Sequence, residues 1–384
     1  MANDTLALHA LGMPPVPHQD QSHEPPVPAM PLNLIETVEG TLADFLAREI
    51  AALDEMDPAL GGFARTARDC VLAGGKRLRP TFAYWGWRGA AGPSERRVGA
   101  VLPAFAALEL LHTFALVHDD VMDGSDTRRG HPTAHRLLEA QHVAAGRRGS
   151  PARFGEAAAV LIGDLCLVWA DRLLGAADVG DAVLLDTRRC YDQMRIETIA
   201  GQYLDILGES EPGSWSVARA LRVARHKTAA YTVLRPLHFG LTLAGLGPAG
   251  RSRAIKDAYT GYGLGVGEAF QLRDDLLGVY GEPAVTGKPA GDDLLAGKPT
   301  ALLMLAREMA TSAQLAELDR ELRTESDVAH AARVVAETGA PERVEKMIEE
   351  RVAAGLQALR RAPIDEATRD MLTGLAVTAT QRQA

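Results

Sequence analysis

Residues Val101 to Gly130 read VLPAFAALELLHTFALVHDDVMDGSDTRRG. The segment up to Val117 is apolar nearly all round, which predicts a helix at the centre of a bundle and not an amphipathic helix on its surface. Three carboxylates, Asp119, Asp120 and Asp123, then arrive together at its end, and Arg128 and Arg129 follow. On a helix, positions i and i+4 lie one above the other, so Asp119 and Asp123 project from one face with Asp120 beside them. Exposed like charges at this spacing cost only about 0.2–0.5 kcal/mol. In a half-buried cleft, two unit charges about 6 Å apart at an effective dielectric near 20 repel by about 3 kcal/mol. A central helix is expected to end in a pocket, and there the carboxylates require a cation. Oxygen donors without Cys or His at ligand spacing favour a hard ion such as Mg²⁺, which binds through one or two carboxylates plus substrate phosphate oxygens. The two guanidinium groups are suited to that phosphate. His118 is read as a packed histidine that orients a carboxylate, because Mg²⁺ prefers oxygen.

Outward from this segment the helical rhythm continues. Apolar residues recur at three and four positions in LIETVEGTLADFLAREIAAL and in later segments spanning Pro80–Ala90, Glu95–Met122, Gly155–Leu174, Asp181–Leu207, Thr228–Leu243 and Arg251–Val279. Alternating β-branched runs are nearly absent, and no fixed-period repeat occurs, so an all-α domain is predicted over residues 32–384. Residues 1–31, rich in Pro, His and Gln, read as a disordered leader. GRRGSPARF, Gly146 to Phe154, reads as a surface loop.

The 384 residues include 47% apolar and 24% charged side chains and carry a net charge of −9. The summed field repels nucleic acid, and no basic tract argues for it. Cys70, Cys166 and Cys190 show no C-x-x-C spacing, which predicts buried free thiols in a reducing, cytoplasmic setting and excludes a disulfide framework. No signal peptide is evident. The stretch read as most apolar, Ala157–Ala170, is short and contains Asp164, so no membrane span is expected.

A second acidic pair lies in FQLRDDLLGVYGEPAVTGKPAGDDLLAGK: Asp274 and Asp275 end another helical stretch, with Lys288 and Lys298 in glycine-containing segments beyond. Gly278 stands where Asp123 stands in the first cluster. A third basic segment, GGKRLRP, runs from Gly74 to Pro80.

These strings, with LLHTFALVHDDVMDGSDTRRGHPTAH, GQYLDI, RHKTAAYT and GEAFQLRDDLLG, together resemble the trans-isoprenyl diphosphate synthases, the polyprenyl synthetase family. The resemblance implies an isoprenoid synthase helical bundle, homodimeric, with two aspartate-bearing helices facing across a central cavity. It implies head-to-tail condensation of isopentenyl diphosphate with an allylic diphosphate (dimethylallyl, geranyl or farnesyl), using three Mg²⁺. Carried over by position, Asp119, Asp123 and Asp274 would hold the ions, with Asp120 and Asp275 alongside. Arg128, Lys227, Thr228, Gln271, Lys288 and Lys298 would contact the allylic substrate. Lys76, Arg79, His112 and Arg129 would form the isopentenyl diphosphate site, and Gln202 and Asp205 would support the cavity. Phe114, five residues before Asp119, with the small Ala115 beside it, resembles the pattern of C20 synthases and implies geranylgeranyl diphosphate. On a helical wheel Phe114 lies about 140° from Asp119, so periodicity does not by itself make it the cavity floor.

The family's second motif carries a third aspartate where this chain has Gly278, a departure expected to be mild if that aspartate acts through water. Three other readings stand beside this one. Farnesyl or longer-chain synthesis would need only a different cavity depth. A terpene cyclase shares the spacing of Asp274 to Glu282 but needs no acceptor site, which Lys76, Arg79 and His112 would supply. A non-catalytic helical subunit could dispense with its aspartates, whereas all five are intact here.

Overall fold

The computed structural model describes residues 33–93, 97–211, 215–247, 249–281 and 291–381. The N-terminal leader and Lys288 lie outside them. Nearly all of the described chain is helical, as the periodicity predicts. The helices are α1 Leu34–Met56, α2 Pro58–Leu72, α3 Leu78–Ala91, α4 Val98–Met122, α5 Ala134–Ala144, α6 Pro151–Gly175, α7 Asp181–Ser210 and α8 Val217–Ala224. A π-helix over Arg225–Leu234 follows, then α9 Arg235–Leu243, α10 Arg251–Tyr280, α11 Asp292–Leu295, α12 Ala301–Met309, α13 Ser312–Leu318, α14 Glu325–Glu337, α15 Ala340–Arg360 and α16 Glu366–Thr380.

Local chemistry sets the helix starts. The Asn33, Asp57, Ser150 and Ser216 side chains each accept a bond from a backbone N–H of the first turn. Pro58 and Pro151 occupy first helical positions, where a missing N–H costs nothing. The cap at Ser150 corrects the reading of Gly146–Phe154 as a loop: helix α6 already begins at Pro151, and only the residues before it form a turn.

Helix α4 lies at the centre and packs most extensively on α6. It is the one described helix long and apolar enough to cross a bilayer, and 67% of its most apolar window is buried inside the protein. The greatest hydropathy therefore falls on α4 and not on Ala157–Ala170, and it belongs to a core helix. In the core cluster that α4 shares with its neighbours, the large side chains Trp85, Trp87, Phe105, Trp169 and Tyr191 are fully buried. Helices α3 and α9 cross at glycines: a Cβ on Gly240 would stand 1.9 Å from the Ala83 carbonyl oxygen, and one on Gly86 would stand 2.5 Å from that of Leu237. Any larger residue at either position would push the two backbones apart. A second apolar cluster gathers Leu272, Leu276 and Val279 of α10 with Leu302 of α12, Val335 of α14 and Val344 of α15. Helix α10 joins the two clusters, since Tyr259, Tyr262 and Val266 belong to the first.

All three cysteines are free; Cys166 is buried, while Cys70 and Cys190 are half-buried.

Candidate active site

Helix α4 ends at Met122 and Asp123 is its C-cap. Asp119 and Asp123 are each less than one-fifth exposed, and Asp120 is almost fully buried. A two-residue hairpin follows, pairing Thr127–Arg128 with His131–Pro132. Its turn residues Arg129 (φ 53°) and Gly130 (φ 76°) both take left-handed conformations, the pattern of a type I′ turn. Successive side chains on a strand point to opposite faces, so the two arginines diverge. Arg128 turns back to Asp120, donating through Nε at 2.9 Å and through Nη2, and approaches Asp119 at 3.5 Å. Arg129 reaches the GGK loop, donating to the Gly74 carbonyl, and its guanidinium lies 2.9 Å from where a Cβ on Gly75 would sit.

The π-helix supplies the next cation. Its wider turn sits between α8 and α9 and overlaps the first part of Thr228–Leu243, which the periodicity assigned to a regular helix, and such turns concentrate at functional sites. It presents Lys227, whose Nζ is 2.5 Å from Asp205 of α7 and 3.2 Å from Asp119, with Thr228 half-buried beside it. Gln202 of α7 donates to Asp119 at 2.9 Å. Burial alone would raise the Asp119 carboxyl, but Lys227, then Arg128 and Lys298, outweigh it and hold the group down at about 2. Asp119 is therefore an anion at every physiological pH.

The second acidic pair, Asp274 and Asp275, is carried on α10. Asp274 is half-buried, whereas Asp275 is buried and faces the protein. It accepts from Gln271 Nε2 at 2.8 Å and from the Ala301 backbone N–H at 3.1 Å, pinning the start of α12. Burial foremost, with the charges of Asp293 and Asp274 adding to it, pushes its carboxyl up to about 7. Gln271 is thus committed to Asp275 in this state. Lys298, carried on the segment between α11 and α12, spans to the first cluster and donates to Asp123 at 2.6 Å. The segment Lys298–Ala301 therefore touches both acidic ends, Lys298 bonding Asp123 and the Ala301 N–H bonding Asp275. Asp120 and Asp275 are the buried members of their pairs, and Asp119 and Asp274 the more exposed ones.

The third basic segment forms a separate nook. Arg77 caps α3 in a left-handed conformation (φ 46°), held there by a buried ion pair with Glu109 at 2.6 Å, by Glu39 at 3.2 Å and by the Val71 carbonyl at 3.1 Å. Those bonds offset the strain and place Lys76 on the exposed side and Arg79 inward. Arg79 donates to Thr232 at 3.0 Å and stacks over the Tyr231 ring at 4.1 Å. The His112 ring lies 6.2 Å from the same tyrosine. Arg79 Nε, His112 Nδ1 and the Tyr231 hydroxyl are buried without a hydrogen-bond partner. Orphaned buried polar atoms are costly, and two of these stand beside the Arg79 guanidinium, which carries the third, a set whose chemistry suits an anion. Desolvation, then Arg79, Arg129, Arg128 and Arg77, hold the His112 imidazole well below its ordinary range, so it stays neutral and can donate a hydrogen bond without a charge.

His118 donates through Nε2 to the Val160 carbonyl at 2.9 Å, and its nearest carboxylate, Asp164, is 3.8 Å off. It is packed, as expected, but it orients no carboxylate of the cluster. A Cβ on Gly163 would overlap its ring, so a glycine is what lets α6 approach here. Phe114 stacks edge-on against His118 at 4.8 Å and so faces the α6 side of α4, whereas Ala115 is half-buried one turn beneath Asp119.

Tyr231 and Thr232 were not singled out from sequence. The signal lay in RHKTAAYT, where Tyr231 follows Lys227 by one helical turn. Among the described residues no three His, Cys, Asp or Glu side chains converge as a ready-made cage for a metal. The oxygen-only donors and the ionised Asp119 nonetheless suit a hard cation that completes its shell with ligand phosphate. A separate cavity of about 280 Å³, lined by Trp87, Val101, Asp178 and Leu243 among others, opens at the opposite end of α4. It takes no part in this network, since Val101 lies about 27 Å along the helix from Asp119.

The family model described as polyprenyl synthetase matches residues 63–338. Geranylgeranyl pyrophosphate synthase from Corynebacterium glutamicum, solved with isoprenyl diphosphate and magnesium, is 40% identical, with a TM-score of 0.86 over 91% of this chain and 99% of that one. Geranylgeranyl diphosphate synthase from Mycobacterium tuberculosis is 33% identical over 85% of this chain and 88% of its own length. Octaprenyl diphosphate synthase from Escherichia coli is 30% identical over 91% and 99%.

Proposed function

The chain belongs to the polyprenyl synthetase family and is a trans-prenyl diphosphate synthase, and on that premise we propose that it makes geranylgeranyl diphosphate. The substrates would be isopentenyl diphosphate and an allylic diphosphate, with three Mg²⁺. The observation that carries the reading is the division of the cations into two groups. Arg128, Lys227 and Lys298 are paired with the aspartates, while Arg79 and His112 sit with unsatisfied polar atoms in a nook of their own. Two diphosphates need two such places.

Asp119, Asp123 and Asp274 would hold the magnesium. When bound, it neutralises the charge that grows on pyrophosphate as the allylic carbon–oxygen bond breaks. Arg128, Lys227 and Lys298, already aimed at the carboxylates, would turn to the phosphate oxygens and act as a preorganised electrostatic clamp. Thr228 and Gln271 would join them, Gln271 by giving up its bond to Asp275, and Lys288 is assigned to the same group by the resemblance. Lys76, Arg79, His112 and Arg129 would grip the acceptor diphosphate and hold its double bond at contact distance from the allylic carbon. That double bond supplies the electron pair for the new carbon–carbon bond, and a proton then leaves to the departing pyrophosphate. No protein nucleophile is needed.

The C20 length rests on Phe114 and Ala115, and relatives of similar identity bear names from geranylgeranyl to octaprenyl. A homodimer is supported by an exposed apolar stripe on α7, Leu185, Ile196, Ile199, Tyr203 and Ile206, and by Leu161 and Val168 on α6. Their helical spacing puts each set on one face, as a covered surface would require. The test is incubation with isopentenyl diphosphate, each allylic primer in turn and Mg²⁺, followed by mass analysis of the dephosphorylated products. A linear C20 alcohol is expected; C15, C40 or cyclic products would replace the geranylgeranyl reading.

A further inference from the structure

The second aspartate motif lacks its third carboxylate because position 278 is glycine. A Cβ built on Gly278 would stand 2.1 Å from Asp293 Oδ2 and 2.7 Å from its Cγ. The Asp293 carboxylate therefore already fills the volume that a side chain at 278 would enter. Gly278 follows Asp274 by four residues, so that volume lies one helical turn along the same face of α10. We propose that Asp293 supplies to the second metal site the carboxylate that Gly278 lacks. This rests on the functional reading above and adds a residue that the motif itself does not contain.

The surroundings fix Asp293 in this position. It lies in the first turn of α11, after Gly291 in a left-handed conformation (φ 77°). A Cβ on Gly291 would meet Val328 at 2.2 Å, and Leu294 is buried in the second apolar cluster, so the turn is clamped from both sides. The Asp293 carbonyl accepts from the Lys298 N–H at 3.0 Å, and Lys298 in turn reaches Asp123 at 2.6 Å. Asp293 thus stands on the short segment that ties the second acidic end to the first. A carboxylate on so constrained a turn is positioned with little rotamer freedom to lose on binding an ion.

The experiment follows Mn²⁺ binding by electron paramagnetic resonance in the presence of inorganic pyrophosphate, without turnover. It compares the full chain with Asp293→Asn, Asp292→Asn and the exchanged variant Asp293→Gly/Gly278→Asp. Removing a carboxylate that positions a metal typically costs about 10–100-fold in metal affinity, and that is the loss expected for Asp293→Asn. Asp292→Asn should bind as the parent does, and the exchanged variant should recover what Asp293→Asn loses. Unchanged Mn²⁺ affinity in Asp293→Asn, or equal weakening by Asp292→Asn, overturns the proposal. Should Asp293→Asn fail to fold, the exchanged variant decides: parental affinity supports the assignment and weak binding refutes it. A parent chain that binds no Mn²⁺ with pyrophosphate would instead defeat the functional reading.

Discussion

Replacing Asp275 by Asn should stabilise the metal-free protein above neutral pH and weaken it in acid. Burial raises the Asp275 carboxyl from 3.8 to about 7. Below 3.8 the group is protonated in both folded and unfolded chains and contributes no pH dependence. Between 3.8 and about 7 only the unfolded chain ionises, so stability falls as pH rises, and above about 7 the loss is complete. At 1.36 kcal/mol per pH unit that loss amounts to about 4 kcal/mol. Asparagine escapes it but weakens the acceptor bonds from Gln271 and the Ala301 N–H, which costs about 1–2 kcal/mol. The net expectation is a gain of about 2–3 kcal/mol at pH 8.5, about 0–1 kcal/mol of loss at pH 4.5 and the full loss of about 1–2 kcal/mol below pH 3.8. Calorimetric Tm values in chelator across that range should therefore cross for the two proteins. Parallel curves, with Asn less stable by the same amount throughout, would refute the idea that Asp275 is a strained buried carboxylate.

Asp119→Asn should behave oppositely. Its carboxyl is lowered from 3.8 to about 2, which contributes about 2 kcal/mol above pH 4 and is lost as pH falls towards 2. Urea titrations at pH 7 and pH 3 should show the deficit shrinking in acid, and turnover at pH 7 should drop by about 10²–10³. Arg79→Lys cannot keep both the bond to Thr232 and the planar stack on Tyr231; the KM for isopentenyl diphosphate should rise about tenfold while that for the allylic substrate holds. Unchanged KM for the acceptor would move the nook elsewhere. Phe114→Ala should lengthen the product without altering the Mg²⁺ dependence, read by mass analysis; an unaltered product distribution would remove Phe114 from length control.

The helical class was legible because α4 is apolar on every side and its neighbours repeat at three and four residues. The acidic ends were legible for the same reason, since carboxylates gathered at the close of so apolar a helix call for a cation. What stayed hidden depends on contacts between distant segments. Nothing in RHKTAAYT announces a π-helix, because its wider turn is fixed by α8 and α9 on either side. Nothing in GSDTRRG says that Arg128 and Arg129 part company, which follows from two left-handed residues in a hairpin too short to read as strands. The lack of room at position 278 is equally invisible in the motif, because the space is filled by Asp293 from another helix. Residues that differ only in burial, such as Asp274 and Asp275, look identical in sequence and take different parts in the fold.

Anomalous diffraction from crystals grown with Mn²⁺, an unreactive allylic thiodiphosphate and isopentenyl diphosphate tests the central claim most directly. The account predicts manganese peaks between the Asp119–Asp123 face and Asp274, with the acceptor diphosphate against Arg79 and His112. Peaks on outer surfaces, or both diphosphates crowded onto one acidic face, would contradict it.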